Sequence, residues 1–278
     1  MKRQLLLLLC SAALLTACSE ETTDSASMVS VDTSEIEAML HEHIAVLASD
    51  EFEGRAPATP GEELTINYLR NQFQALGIGP GNGDSYYQSV SVTEITTASD
   101  AVLHMKGSNY EASFTYGDEA MVGSQQQIPA IGIFDSELVF VGYGIVAPER
   151  GWNDYAGIDV VAKTVVILVN DPGYATQDPE LFNGNSMTYY GRWTYKYEEA
   201  ARQGAAAALI VHETGPAGYG WEVVSGSWSG PQIGLQAHNL NLDKNEIEGW
   251  LTLDSAESLF SGAGLDYQEL KSAAAQRG

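Results

Sequence analysis

Apolar residues recur every three or four positions in two segments before residue 80, and this spacing predicts two amphipathic helices. The first covers residues 34–48, where Ser34 followed by Glu37 fits a capping box. The second covers residues 59–77, with Pro60 at its first helical position. Its predicted apolar face carries Ile66, Leu69 and Phe73.

Shorter runs follow in which apolar and polar residues alternate, as they do in strands with one buried face. We predict strands at residues 87–92, 101–105 and 110–116. The last two flank a Gly-Ser-Asn sequence, residues 107–109, and therefore predict a hairpin.

From about residue 136 the apolar runs become continuous, which is typical of strands buried on both faces. Such runs predict strands at 138–143, 164–169, 206–211 and 250–253. A helix is predicted at 195–203, ended by a glycine, and two short helices are predicted after residue 253. Glycine and proline between residues 215 and 230 predict irregular structure there. Helices and strands in this order predict an α+β or α/β fold.

The first residues have the pattern of an export signal. Lys2 and Arg3 precede an apolar stretch, and the stretch ends in the sequence LTAC at residues 15–18, which resembles a lipobox. We therefore predict a signal peptide at 1–17, lipid attachment at Cys18 and a flexible tether at 18–33. An ordinary signal cleaved nearby is the alternative. The mature protein is expected to be lipid-anchored to a bacterial-type membrane, facing the periplasm or the outside.

The chain is strongly acidic. Lys and Arg total 13 against 37 Asp and Glu, which gives a net charge of −24. Nucleic acid is therefore excluded as a partner, because its phosphates need a cationic surface. The chain is expected to contact the membrane through its lipid anchor alone.

The sequence contains no recognisable set of catalytic or metal-binding residues. His41 and His43 lie two apart on one predicted helix and point about 200° apart, so they cannot bind one ion. His212 follows a buried strand and is interpreted as a core histidine, with a ligand contact as the alternative. The sequence GSWSG at 226–230 places Trp228 where a nucleophile elbow needs serine. We therefore assign no catalytic and no metal residue.

Aromatic residues are concentrated between residues 189 and 228. They are expected to fill a core or to line a cleft or an interface, and a glycan-binding surface would use the same residue types. The candidate cleft or interface residues are Tyr190, Arg192, Trp193, Tyr219, Trp221 and Trp228.

Several motifs occur in an order that resembles a known family. They are ASDEFEGR at 48–55, TPGE at 59–62, WNDY at 152–155, KTVV at 163–166 and YYGRWTYKYEEAA at 189–201. The first two resemble metallopeptidase family 28, the zinc aminopeptidases related to aminopeptidase Y and glutamate carboxypeptidase. The others resemble the protease-associated domain that is inserted in that family.

The resemblance implies a domain arrangement. Residues 34–125 would be the N-terminal helices and hairpin of an incomplete zinc-peptidase domain. Residues 126–260 would be a β-rich protease-associated domain with flanking helices, and 261–278 a helical tail. Ala58 and Ala162 occupy places where the family commonly has glycine.

The resemblance also implies a function. In the intact family two zinc ions activate a water that attacks the peptide bond next to a free N-terminus. Their ligands lie downstream of the inserted domain, beginning with a His-x-Asp segment that this sequence does not contain. We therefore expect an N-terminal fragment of an exported zinc aminopeptidase, inactive alone and without cofactor, whose intact relative acts on peptides. The alternative is a non-catalytic, lipid-anchored module that binds peptides or a partner. In either case the face of Ile66, Leu69 and Phe73 is expected to be exposed.

Overall fold

The computed structural model describes residues 33–107 and 110–276. Contacts divide the chain into two compact units, the first ending at Tyr87 and the second beginning at Gln88. The predicted signal peptide, Cys18 and the tether up to residue 32 lie outside the described residues. Within the described part, no helix is long and apolar enough to cross a membrane.

The first unit contains the two predicted helices, α1 (Ser34–Leu47) and α2 (Pro60–Ala75), with a short 3-10 segment (Asp50–Arg55) between them. The predicted capping box does not start α1, because Thr33 holds the N-cap position and its carbonyl accepts from the amide of Glu37 at 2.9 Å. At α2 the N-cap is a threonine whose hydroxyl accepts an amide hydrogen from the first turn, as expected.

The apolar face of α2 is exposed, as predicted. Ile66, Leu69 and Phe73 are 37%, 40% and 45% exposed. Exposed apolar side chains also lie along α1, where Leu40 and Ile44 are 52% and 61% exposed. Single exposed apolar residues are ordinary on proteins, but rows of them on two helices are the pattern of an interaction surface.

The second unit begins with several short strands, two of which form a hairpin, and continues into an alternating series of strands and helices. Its strands are β1 (Val92–Thr96), β2 (Val102–Lys106), β3 (Glu111–Thr115), β4 (Ala120–Gly123), β5 (Leu138–Phe140), β6 (Val146–Ala147), β7 (Trp152–Asn153), β8 (Thr164–Leu168), β9 (Ala207–Val211), β10 (Pro231–Leu235) and β11 (Ile247–Leu251). Its helices are α3 (Pro172–Thr176), α4 (Trp193–Arg202), α5 (Thr214–Ala217), α6 (Trp221–Trp228), α7 (Leu253–Gly262) and α8 (Tyr267–Ala274).

A five-stranded sheet with the order β4-β11-β9-β8-β5 forms the centre of this unit. β5, β8, β9 and β11 are parallel, and β4 pairs antiparallel with β11 at the edge. This mixed sheet with helices confirms the predicted α+β or α/β fold class. β4 belongs to the same sheet as the later strands, and the two compact units divide at residue 87/88. The domain boundary at 125/126 stays a prediction. The family identities of the segments remain predictions.

Both faces of the parallel strands are buried, which explains their continuous apolar runs. Along β8, Val166 and Leu168 belong to the core on one face, while Val165 and Ile167 belong to the core on the other. All four are at most 2% exposed. Helix α4 packs on β9 and places a fully buried lysine, Lys196, among these side chains.

Two predictions were wrong in this unit. The strand predicted at 87–92 lies at 92–96 and pairs with β10. The segment 215–230, predicted as irregular, contains α5 and α6. Pro216 falls in the first turns of α5, where its missing amide hydrogen costs little, and Gly218 ends that helix at φ 82°. The indole of Trp221 then donates to the Gly117 carbonyl at 2.8 Å and anchors the start of α6.

Candidate ligand-binding site

A cavity lies where the parallel strands β5, β8 and β9 end. It has a volume of about 540 Å³. Tyr143 follows β5, Asp171 follows β8 and Glu213 follows β9, and all three line the cavity. Ligands of open α/β sheets bind in crevices at this edge, because the loops that leave the strands diverge there. We call this cavity the carboxyl-edge pocket.

The turn after β5 depends on two glycines in left-handed conformations. Gly142 has φ 56° and Gly144 has φ 61°. A Cβ atom at Gly144 would lie 3.0 Å from the side chain of Ile167 and 3.2 Å from the hydroxyl of Tyr155. Any larger residue at Gly144 would therefore move this turn and with it Tyr143, which lines the pocket.

Asp171 shapes the opposite side of the pocket. It is fully buried, and its carboxylate accepts hydrogen bonds from the amide of Gly173 and from both the amide and the hydroxyl of Thr188. The hydroxyl bond is 2.7 Å long. Asp171 therefore fixes the segment from 171 to 188, and its oxygens are already occupied by protein donors.

The pocket contains one pair of opposite charges. The ammonium group of Lys271, on α8, donates to Glu213 at 2.5 Å. The Glu213 side chain is 10% exposed and the Lys271 side chain 27% exposed. Burial, and next the charge of Glu213, raise the pKa values of the Tyr143 and Tyr267 hydroxyls, which keeps both protonated. Glu213 is thus the negative centre of the pocket, and Lys271 its positive neighbour.

A buried cation lies behind the pocket and supports its wall. Lys196 donates from Nζ to the Tyr143 carbonyl at 2.6 Å. Burial lowers the pKa of Lys196 to about 7, although Asp154 and Asp171 oppose the shift. Burial also raises the pKa of Asp154 to about 6, against its hydrogen bond from the Ile145 amide and the charge of Lys196.

The aromatic candidates are divided among three places and do not form one cleft wall. Tyr190 donates to Glu149 at 2.8 Å. Trp193 meets Trp228 edge to face at 6.1 Å, and Arg192 is exposed at the start of α4. Tyr219 and Trp221 pack against the ring of a histidine. The pocket lining includes none of these six residues.

That histidine is His212, which is 4% exposed. Its Nε2 donates to the Tyr219 carbonyl at 3.1 Å, and burial lowers its pKa. The interpretation as a core histidine is confirmed. His41 is exposed, and His43 shares a 2.7 Å hydrogen bond with the Tyr68 hydroxyl.

Sequence reasoning missed the carboxyl-edge pocket. The available signal was the position of Asp171 and Glu213, which are polar residues three and two positions after the ends of the buried strands β8 and β9. Lys271 lies on α8, and only the tertiary fold brings it to Glu213.

The described side chains do not fit the two zinc ions that the family resemblance implies. Among residues 33–107 and 110–276, no three His, Cys, Asp or Glu side chains converge as a metal-binding group.

No family model matches the chain, and no curated protein matches it. Among solved structures, it is similar to an aminopeptidase from Aneurinibacillus sp. strain AM-1, with 19% sequence identity and a TM-score of 0.38. The match covers 80% of this chain and 39% of that one, so the chain spans about two fifths of that aminopeptidase.

Proposed function

We propose that this chain is the peptide-recognition part of an exported zinc aminopeptidase and does not hydrolyse peptides alone. The motifs at 48–62 and 152–201 support the family, and the carboxyl-edge pocket supports recognition. The single observation that carries the proposal is the Glu213–Lys271 pair, with Glu213 buried, in a cavity of about 540 Å³. Pockets of roughly 300–1,000 Å³ hold small ligands and chain ends.

The chemistry of the pocket fits the ends of peptides. A free N-terminus is an ammonium group and a free C-terminus is a carboxylate, and both form strong charge-assisted hydrogen bonds. Glu213 offers an acceptor for the first, and Lys271 a donor for the second. Asn170 is already occupied, because it donates to the Pro216 carbonyl at 2.7 Å and accepts from the Asp171 amide at 2.8 Å.

A direct test loads the purified chain with zinc and offers it leucine p-nitroanilide and the tetrapeptide Leu-Gly-Gly-Phe. We expect the tetrapeptide to bind and both substrates to stay intact. Turnover with stoichiometric zinc would overturn the proposal of a non-catalytic part. Absence of tetrapeptide binding at millimolar concentration would overturn the proposal of peptide recognition.

A lipid-anchored module that binds a protein partner is the second candidate. Trp193 favours it, because this tryptophan is 40% exposed beside the exposed Arg192, and exposed tryptophan and arginine are typical of interface centres. Trp193→Ala would then abolish capture of a partner without changing peptide binding. Loss of both together would contradict the separation of the two surfaces.

We also propose that Cys18 carries the lipid. Expression in a bacterial host with radiolabelled palmitate is expected to label the wild-type chain, and Cys18→Ser is expected to remove the label. The matched control is Cys10→Ser, because Cys10 lies inside the predicted signal peptide. Labelling that survives Cys18→Ser would contradict the lipobox assignment.

A further inference from the structure

We infer that the carboxyl-edge pocket binds short zwitterions, namely a free amino acid or a dipeptide, by inserting their two charged ends between Glu213 and Lys271. The inference rests on the proposed function and names the ligand class of the same site. Free amino acids are also the chemical class that an aminopeptidase releases.

The charge arrangement is the first reason. Glu213 and Lys271 come from different elements, the end of β9 and α8, and they meet within the pocket at 2.5 Å. In an α-amino acid the ammonium and carboxylate groups are also close neighbours, with opposite signs. A zwitterion can therefore give each protein charge a partner of the opposite sign in place of the present pair.

The cost of leaving one partner alone is the second reason. Glu213 is only 10% exposed at its side chain. A ligand that carries only a carboxylate would pair with Lys271 and leave the largely buried Glu213 without its partner, and a ligand that carries only an ammonium would leave Lys271, which is 27% exposed, without its partner. Such a loss is more costly than the gain from the new pair. The pocket therefore selects against ligands with a blocked amino or carboxyl end.

The hydrogen bonds that the other charged groups in and behind the pocket already make are the third reason. Asp171 accepts from Gly173 and Thr188, so its carboxylate already has protein donors. Lys196 is turned to the Tyr143 carbonyl behind the pocket wall. Glu213 and Lys271 instead pair with each other, so a zwitterion can replace each partner of this pair without leaving another protein group unpaired.

The remaining lining gives the ligand room and contact for a side chain. Tyr174, Ala175 and Pro216 provide apolar surface, while Gln268 and Ser272 on α8 are exposed at the entrance. About 540 Å³ accommodates an amino acid with a large side chain or a dipeptide. Polar groups at the charged end and apolar surface beyond them are the usual arrangement of a small-molecule site.

Isothermal titration of the full chain with four probes tests the inference. The probes are L-leucine, the dipeptide Leu-Gly, N-acetyl-leucine and leucinamide. We expect L-leucine or Leu-Gly to bind with a millimolar or lower Kd, and both blocked leucines to bind at least tenfold more weakly. Equal affinity for the free and blocked leucines would overturn the inference, as would no binding of L-leucine and Leu-Gly up to 10 mM.

Variants locate the binding. Lys271→Met and Glu213→Gln are each expected to weaken binding of the zwitterion at least tenfold. Lys163→Met is the matched control, because Lys163 pairs with Glu137 at 3.0 Å outside the pocket lining, and it is expected to bind like the wild type. Unchanged affinity in folded Lys271→Met would overturn the inference. If both pocket variants fail to fold, the probe comparison on the wild type still decides.

The outcomes separate this inference from the proposed function. Binding of Leu-Gly-Gly-Phe without binding of L-leucine or Leu-Gly would refute the zwitterion site and leave peptide recognition standing. Binding of L-leucine together with zinc-dependent turnover would refute the proposal of a non-catalytic part and leave the site standing.

Discussion

Replacing Lys196 by methionine tests the account of the buried cation behind the pocket. The side chain is fully buried, and its hydrogen-bond acceptor is a neutral carbonyl. Its pKa falls from 10.5 to about 7 in the folded protein, mainly through burial. At 1.36 kcal/mol per pH unit, holding the charged form inside therefore costs about 5 kcal/mol at acidic pH.

The sign of the pH dependence follows from this lowered pKa. Between pH 7 and 10.5 the unfolded chain binds more protons than the folded one, so the Lys196 contribution makes the wild type more stable as pH rises. Methionine removes this dependence but leaves the Tyr143 carbonyl without its donor, at a cost of about 1–3 kcal/mol. We expect the variant to be more stable than the wild type by about 3 kcal/mol at pH 6 and about equally stable at pH 9.

Urea unfolding followed by tryptophan fluorescence measures this difference, because all five tryptophans lie in the second unit. Lys163→Met is the control, and we expect it to change the unfolding free energy by at most about 1 kcal/mol at either pH. If the unfolding free energies of Lys196→Met and the wild type differ by the same amount, within about 1 kcal/mol, at pH 6 and pH 9, the buried ammonium does not titrate as reasoned.

Two further predictions concern backbone positions. Gly61→Ala is expected to destabilise the protein by about 2 kcal/mol despite a better helix propensity, because the new Cβ would lie 2.2 Å from the Phe52 carbonyl oxygen. Gly226→Ala in α6 has open space around the new Cβ and is expected to raise the free energy of unfolding by about 1 kcal/mol. Thermal unfolding followed by circular dichroism measures both variants, and equal effects on stability would contradict the packing argument. Ala58→Gly and Ala162→Gly are each expected to stabilise by about 1 kcal/mol, because both alanines have left-handed conformations, at φ 59° and 57°. A loss of stability in chemical unfolding would count against backbone strain at these two turns.

The secondary structure could be predicted where local signals and tertiary packing agree. The proline and threonine at the start of α2 and the continuous apolar runs of β8 and β9 each indicate their element without knowledge of the fold. Ala58 and Ala162, where glycine was expected to be common, both have the positive φ that glycine adopts most easily. α6 could not be predicted, because glycines surround it and its anchor, the Trp221 bond to Gly117, spans more than a hundred residues.

The candidate site was harder to predict than the fold. Local patterns favoured the aromatic segment, because rings are conspicuous in a sequence, but its six residues lie in separate clusters away from the pocket lining. Glu213 and Lys271 are ordinary charged residues in sequence and are 58 positions apart. Only the parallel order of β5, β8 and β9, together with the return of α8, makes them neighbours.

We propose that this chain recognises peptides at the carboxyl-edge pocket without cleaving them. Ultrafiltration of the zinc-loaded chain with Leu-Gly-Gly-Phe, followed by mass spectrometry of the retained and free fractions, tests both parts in one measurement. We expect intact tetrapeptide to be retained with the protein, Lys271→Met to lose this retention, and no free leucine to be formed. Release of leucine, or no retention of tetrapeptide by the wild type, would contradict the proposal.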